Sequence, residues 1–227
     1  MSTRVVIILM FALSTATTYP ATSWAAGSGG GKGALSGGAD STKLTLEQQA
    51  QRALAAGIRH RDRALKHEAR AGKASSDTKR KKSLARAQTE FRKAVQKQSE
   101  ALRLDPGNYK AANELGYALR KTGDFRKAIG AYNYALDINP DFHQATEYRG
   151  EAYLALRYFE HAQNSYMQLF RKDRALANQL MDAFTAWLND KAGDLSESEV
   201  TFIGWVEERK RLASLTQDLS INNSRSW

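Results

Sequence analysis

The sequence predicts an all-α fold: a solenoid of about three stacked helical hairpins, the first with lengthened helices, followed by C-terminal capping helices. Two observations lead there. The first is a motif written twice, 34 residues apart. Glu90-Phe91-Arg92-Lys93-Ala94-Val95 returns as Asp124-Phe125-Arg126-Lys127-Ala128-Ile129, and Ala101-Leu102-Arg103-Leu104-Asp105-Pro106 returns as Ala135-Leu136-Asp137-Ile138-Asn139-Pro140. A fixed period of this size marks helical hairpins that bury their apolar faces only by stacking on neighbours. The second is composition. Good helix formers (Ala, Leu, Lys, Arg, Glu) dominate residues 45–215, and β-branched runs are few.

The elements follow in order. Arg4, the apolar run Val5–Leu13 and the small residues of Ser23-Trp24-Ala25 read as an export signal over residues 1–25, cleaved after Ala25. The apolar run falls short of the ~20 residues a membrane span needs. The expected destination is therefore the periplasm, with no integral span after processing; the alternative is an uncleaved N-terminal membrane anchor. Residues 26–43 contain GSGGGKGALSGG, a Gly-rich, disordered linker. The chain has no Cys, so the expected array is held without disulfides, and no thiol nucleophile or thiolate metal site exists.

The repeat array is placed at residues 44–174. Its clearest unit is 109–140. Ala112, Leu115, Ala118 and Leu119 form one apolar stripe, with Gly116 at a place where another helix approaches closely. Gly123 suits the left-handed end of that helix, and Asp124 caps the next. The second helix runs from Phe125 to about Ile138, with Ala128, Ile129, Tyr132 and Ala135 on its buried face, and Asn139-Pro140 stops it. Upstream, the period from Gly116 lands on Lys82, inside a lysine run. Ala50–Gly57 is the better partner helix, which predicts long helices over about 45–71 and 77–104, the second capped by Ser76 or Asp77. Downstream, Leu176, Leu180, Phe184, Trp187 and Leu188 mark a helix over 173–188. Ser196-Glu197-Ser198-Glu199 is a capping box opening a last helix to about 214, with Val200, Ile203, Val206 and Leu212 inward. Residues 175–216 are read as the capping helices and 217–227 as a flexible tail.

The residues Leu115-Gly116, Leu119, Ala128, Tyr132, Ala135 and Pro140, and then Gly150, Tyr153, Ala162 and Tyr166, resemble the tetratricopeptide repeat (TPR) family over roughly residues 77–174. The family's early tryptophan is Ala112 here and Thr146 in the next unit, and Arg174 stands where the next closing proline belongs. The resemblance implies that the first helix of each hairpin lines a concave groove that holds a protein or peptide partner. Carried over, it puts Lys110, Asn113, Tyr117 and Arg120 in the groove, joined by Gln144, Glu147 and Glu151. The mixed charges imply a mixed-charge peptide. The Asn, Lys and Arg clamp by which some relatives hold a terminal carboxylate is not reproduced, because Glu147 and Glu151 stand in the second unit.

A second surface is basic. The formal net charge is +10. Residues 59–103 carry fifteen Lys and Arg against five acids, so the whole excess lies there. Arg59, Arg63, Lys66, Arg70, Lys79, Arg80, Lys81 and Lys82 form this surface, which attracts anions. In an exported protein these are envelope components: lipid headgroups, polysaccharide or an acidic protein. Nucleic acid is not expected, because Lys79–Lys82 lack interleaved aromatics. No enzyme, cofactor or metal site is predicted. His60 and His67 stand about 10 Å apart along a helix, and no phosphate loop or nucleophile motif appears. The reading is an exported interaction module, an adaptor or scaffold gripping a partner segment in its groove; the alternative is an envelope-associated anion binder working through the basic N-terminal hairpin.

Overall fold

A computed structural model describes residues 44–190 and 193–223, with side chains to residue 215. The export segment and the Gly-rich linker lie outside the described residues. Within them the chain is a run of eight helices: α1 (Leu46–Gly72), α2 (Asp77–Leu104), α3 (Tyr109–Lys121), α4 (Phe125–Ile138), α5 (His143–Ala155), α6 (Phe159–Lys172), α7 (Arg174–Asn189) and α8 (Glu197–Asn223).

Local chemistry sets the boundaries. Thr45 and Gln48 close a reciprocal box at the start of α1. Ser76, not Asp77, caps α2. Asn108 accepts from the Ala111 N–H at 3.0 Å while donating to Asp105, and Asp124 caps α4. Gly123, at φ +88, makes the left-handed turn between α3 and α4. Where the closing proline is lost, Asp173 ends α6 and also caps α7, accepting from Leu176 N–H at 3.0 Å. Ser196 and Glu199 form the predicted box before α8: Ser196 N–H donates to Glu199 at 3.0 Å and Glu199 N–H to Ser196 Oγ at 3.3 Å.

Adjacent helices pack pairwise along the chain. The first helices α1, α3, α5 and α7 also touch one another in succession, while α2, α4 and α6 are separated by them. That asymmetry curves the array and puts α1, α3, α5 and α7 on its inner face. Small residues permit the close approach. A β-carbon on Gly116 would come within 2.6 Å of the Tyr132 ring, and one on Gly150 equally close to Leu180. Gly57 makes the same approach to Gln98, which identifies α1 as the first helix of the lengthened hairpin. At 27 and 28 residues, α1 and α2 are twice as long as α3 and α4.

The position that is Gly116 and Gly150 becomes Phe184 in α7, so no further helix can approach closely there. Phe184, Phe202, Trp187 and Trp205 form an aromatic layer instead, and α8 rests on it. This corrects the expected face of α8. Val206 is buried and Ile203 half-buried, but Val200 and Leu212 are exposed, because the helix is turned to seat the larger Phe202 and Trp205. The helix also continues to Asn223, past the expected end.

Candidate functional site: the inner face of the array

The inner face is charged, and most of its charge is already paired between hairpins. Arg61 of α1 bonds Glu114 of α3. Lys121 at the end of α3 meets Glu68 of α1 at 2.8 Å, both nearly buried. Arg120 of α3 bonds Glu151 of α5, and its guanidinium stands 5.3 Å from the ring centres of both Tyr117 and Tyr148. A buried cation is costly unless it is paired, and the planar guanidinium suits both the carboxylate and the rings.

The seven predicted groove residues therefore divide. Lys110 is exposed, its ammonium 5.8 Å over the Tyr109 ring. Tyr117, Gln144 and Glu151 are half-buried. Tyr117 packs between Phe91 and Tyr148, and burial pushes its hydroxyl up to about 12. Arg120 is taken up by Glu151, which with neighbouring Tyr132 outweighs the burial cost and holds it charged. Asn113 and Glu147 are only 3 % exposed, so neither lies open in the groove as expected. Both stand three residues before a glycine at which a neighbouring helix packs closely, Gly116 against Tyr132 and Gly150 against Leu180, and so share the covered side of their helix. Gln144 donates to Glu147 at 3.0 Å, and burial followed by the Glu151 charge raises the Glu147 carboxyl well above its ordinary value. The Asn113 Oδ1 and one Glu114 oxygen are buried acceptors with no protein donor.

Sequence reasoning missed the ladder of inter-hairpin ion pairs, although one signal for it is present. Gly57 and Gly116 are each followed four residues later by arginine, Arg61 and Arg120, whereas Leu154 holds that place after Gly150. A cleft of about 660 Å³ lies elsewhere, between the starts of α6 and α8 and lined by Tyr158, His161, Thr201 and Phe202. Among the described residues no group of three or more His, Cys, Asp or Glu is placed to hold a metal ion, and no helix is long and apolar enough to cross a membrane.

The predicted basic residues are all exposed. Arg80 is drawn to Asp77. Arg59, Arg63, Lys66, Arg70, Lys79, Lys81 and Lys82 have no acid at ion-pair distance among the described residues.

A family profile described as Tetratricopeptide repeat matches residues 83–141 and 113–194. Among solved structures, the chain is similar to the TPR2B domain of yeast Sti1 in a pHsp70 complex, at 17% identity and TM-score 0.47 over 61% of this chain and 98% of that one. It is similar also to the first TPR of Spaghetti (RPAP3) bound to the HSP90 peptide SRMEEVD, at 20% identity and TM-score 0.40 over 56% and 95% of the two chains. The first TPR domain of human RPAP3 gives 19% identity and TM-score 0.39 over 57% and 98%. No curated protein matches the sequence.

Proposed function

The chain belongs to the tetratricopeptide repeat family, and from that premise we propose that it is an exported adaptor, gripping a segment of a partner protein along the inner face of α3 and α5. One observation carries the reading: the first helices of successive hairpins line up on a single face, with Lys110, Tyr117, Gln144 and Glu151 reaching its surface. Tyr117 offers flat contact area at small entropic cost.

The pairing on that face refines the partner. Arg61, Arg120 and Lys121 are committed to Glu114, Glu151 and Glu68. Lys110 is then the exposed cation among the groove residues, while Glu151 is paired and Glu147 is buried. One free cation does not make the paired clamp that a terminal carboxylate needs, so a segment that sets a neutral or a single acidic side chain against Lys110 suits this face better. The work is binding and not catalysis, in the periplasm if residues 1–25 act as the sequence suggests.

Photocrosslinking in the native cell tests it, with one probe at Lys110 and another at Gly130, exposed on α4. A discrete protein adduct at Lys110, absent at Gly130 and weakened by Gln144→Ala, which breaks no ion pair, is the expected result. The same adducts from both probes would sink the groove reading.

A further inference from the structure

The cations of the first hairpin are ordered, not merely numerous. On α1, Arg59, Arg63, Lys66 and Arg70 recur at steps of four, three and four residues, and Lys73 at its C-cap continues the stripe. The opposite stripe of the same helix touches α3: Arg61 bonds Glu114 and Glu68 bonds Lys121, while Leu65 and Tyr117 pack against one cluster of Ala64, Ala87 and Phe91. Arg63, Lys66 and Arg70 each stand two residues from Arg61 or Glu68, about 200° round the helix.

The second helix is arranged the same way. Gln88 donates to the Lys121 carbonyl at 3.0 Å, and the Phe91 ring lies tilted against Tyr117 with centres 6.3 Å apart, so that side of α2 faces α3. Lys79, Lys82 and Arg86 lie half a turn from it. The two stripes therefore meet on one surface, the open end of the array, which no preceding hairpin covers among the described residues. Every cation in them is exposed, and none has an acid at ion-pair distance there.

We propose that this end face docks on an anionic phospholipid bilayer, its two basic rows lying flat against the headgroups. The shape favours a surface over a polymer. From Arg59 to Lys73 the row is roughly 20 Å long at the α-helical rise. Two helices side by side are about 20 Å across, wider than the ~12 Å major groove that admits a single helix. No aromatic residue interrupts either row to stack a base. The face is separate from the groove on α3 and α5, so its failure would leave the adaptor reading standing.

The test is co-sedimentation of the full chain with phosphatidylcholine vesicles, with and without phosphatidylglycerol. Neutral vesicles set the baseline for any contribution of residues 1–43. One variant combines Arg63→Gln, Lys66→Gln, Arg70→Gln and Arg86→Gln. A second of equal net charge combines Arg126→Gln, Lys127→Gln, Arg171→Gln and Lys172→Gln, all exposed away from the end face. Circular dichroism checks that both remain helical. Each cation at an anionic surface is worth roughly five-fold, so the first variant is expected to lose a few hundred-fold in partitioning and the second to change little. Added salt should weaken binding of the unaltered chain. Equal losses in the two variants, binding that ignores phosphatidylglycerol, or no vesicle binding alongside tight uptake of duplex DNA or an anionic polysaccharide would each overturn the proposal.

Discussion

Gly57 lies against Gln98 as Gly116 lies against Tyr132. A β-carbon on Gly57 would meet Gln98 Cδ at 2.6 Å, and one on Gly116 would meet Tyr132 Cε1 at 2.6 Å. Gln98, Tyr132 and Tyr166 succeed one another at the repeat period. The long first hairpin thus keeps the contact of its shorter neighbours at its base and carries its extra turns beyond it.

The two contacts differ in what can yield. Both side chains are fully buried, but the Tyr132 ring is rigid, whereas Gln98 has three torsions and is tied by a 3.3 Å bond from its amide to the Leu54 carbonyl. Gly116→Ala is expected to destabilise by about 2 kcal/mol through overpacking, even after the helix-propensity gain. Gly57→Ala should cost less than half of that. Urea unfolding of both variants measures the difference; equal losses would mean that Gln98 is held as firmly as the ring.

Arg157 occupies the place in the α5–α6 turn that Gly123 occupies between α3 and α4. Both are left-handed, at φ 60 and 88. A side chain there costs about 1 kcal/mol that glycine avoids. Arg157 recovers part of it by pairing with the buried Glu199 at 3.4 Å. Arg157→Gly is therefore expected to leave stability within about 0.5 kcal/mol of the parent, while Gly123→Ala, with no such partner to gain, loses about 1 kcal/mol. Thermal melts decide it: a large loss in Arg157→Gly would show that the Glu199 pair outweighs the backbone strain.

Some of this was legible in the sequence and some was not, for physical reasons. The period, the caps at Ser76, Asp124 and Ser196, and the glycine at each helix approach are local signals, and they give the helices and their order. Which face a flanking helix presents is decided by its neighbours. On α8, Phe202 and Trp205 displace Val200 and Leu212 from the interior because Phe184 opens an aromatic layer beneath them. In the groove, family position puts Asn113 on α3 and Glu147 on α5, but burial depends on side-chain contacts across hairpins. Arg120 bonds a residue 31 positions away, and no helical spacing announces such a pair.

Arg120 is the centre of the inner face. Its side chain is 14% exposed, bonded to Glu151 and flanked by two tyrosine rings. Removing one member of a buried pair strands the other charge, so Arg120→Leu is expected to cost about 3 kcal/mol or more. Arg120→Lys should rescue little of that, because a point charge replaces neither the planar fork nor the stacking. Combining Arg120→Leu with Glu151→Leu should regain much of the loss. A double variant no more stable than the single would show that the tyrosine contacts, and not the ion pair, hold α3 against α5.

Glu147 gives the inner face a pH dependence whose sign is fixed by its surroundings. Burial, and then the charge of Glu151, raise its carboxyl well above the ordinary value of 4.5, while Arg120 and the Gln144 amide pull the other way. A carboxyl that holds its proton more tightly when folded stabilises the fold fully below its unfolded value, and that contribution is lost as pH rises through the folded one. Glu114 moves in the same direction through burial, in spite of Arg61. Glu90, whose burial is outweighed by His60 and Lys93, and Asp124, held by Lys127, are both lowered; they act in the opposite sense at the acid end and are shared by parent and variant. Glu147→Gln keeps an acceptor for Gln144 but cannot ionise. Its stability should match the parent near pH 4 and exceed it increasingly as pH rises above that, with Glu151 left free to pair with Arg120. Denaturant titrations at several pH values read the difference directly. Parallel profiles for the two proteins would mean that Glu147 is ionised in the fold at neutrality and that Arg120 serves both carboxylates at once.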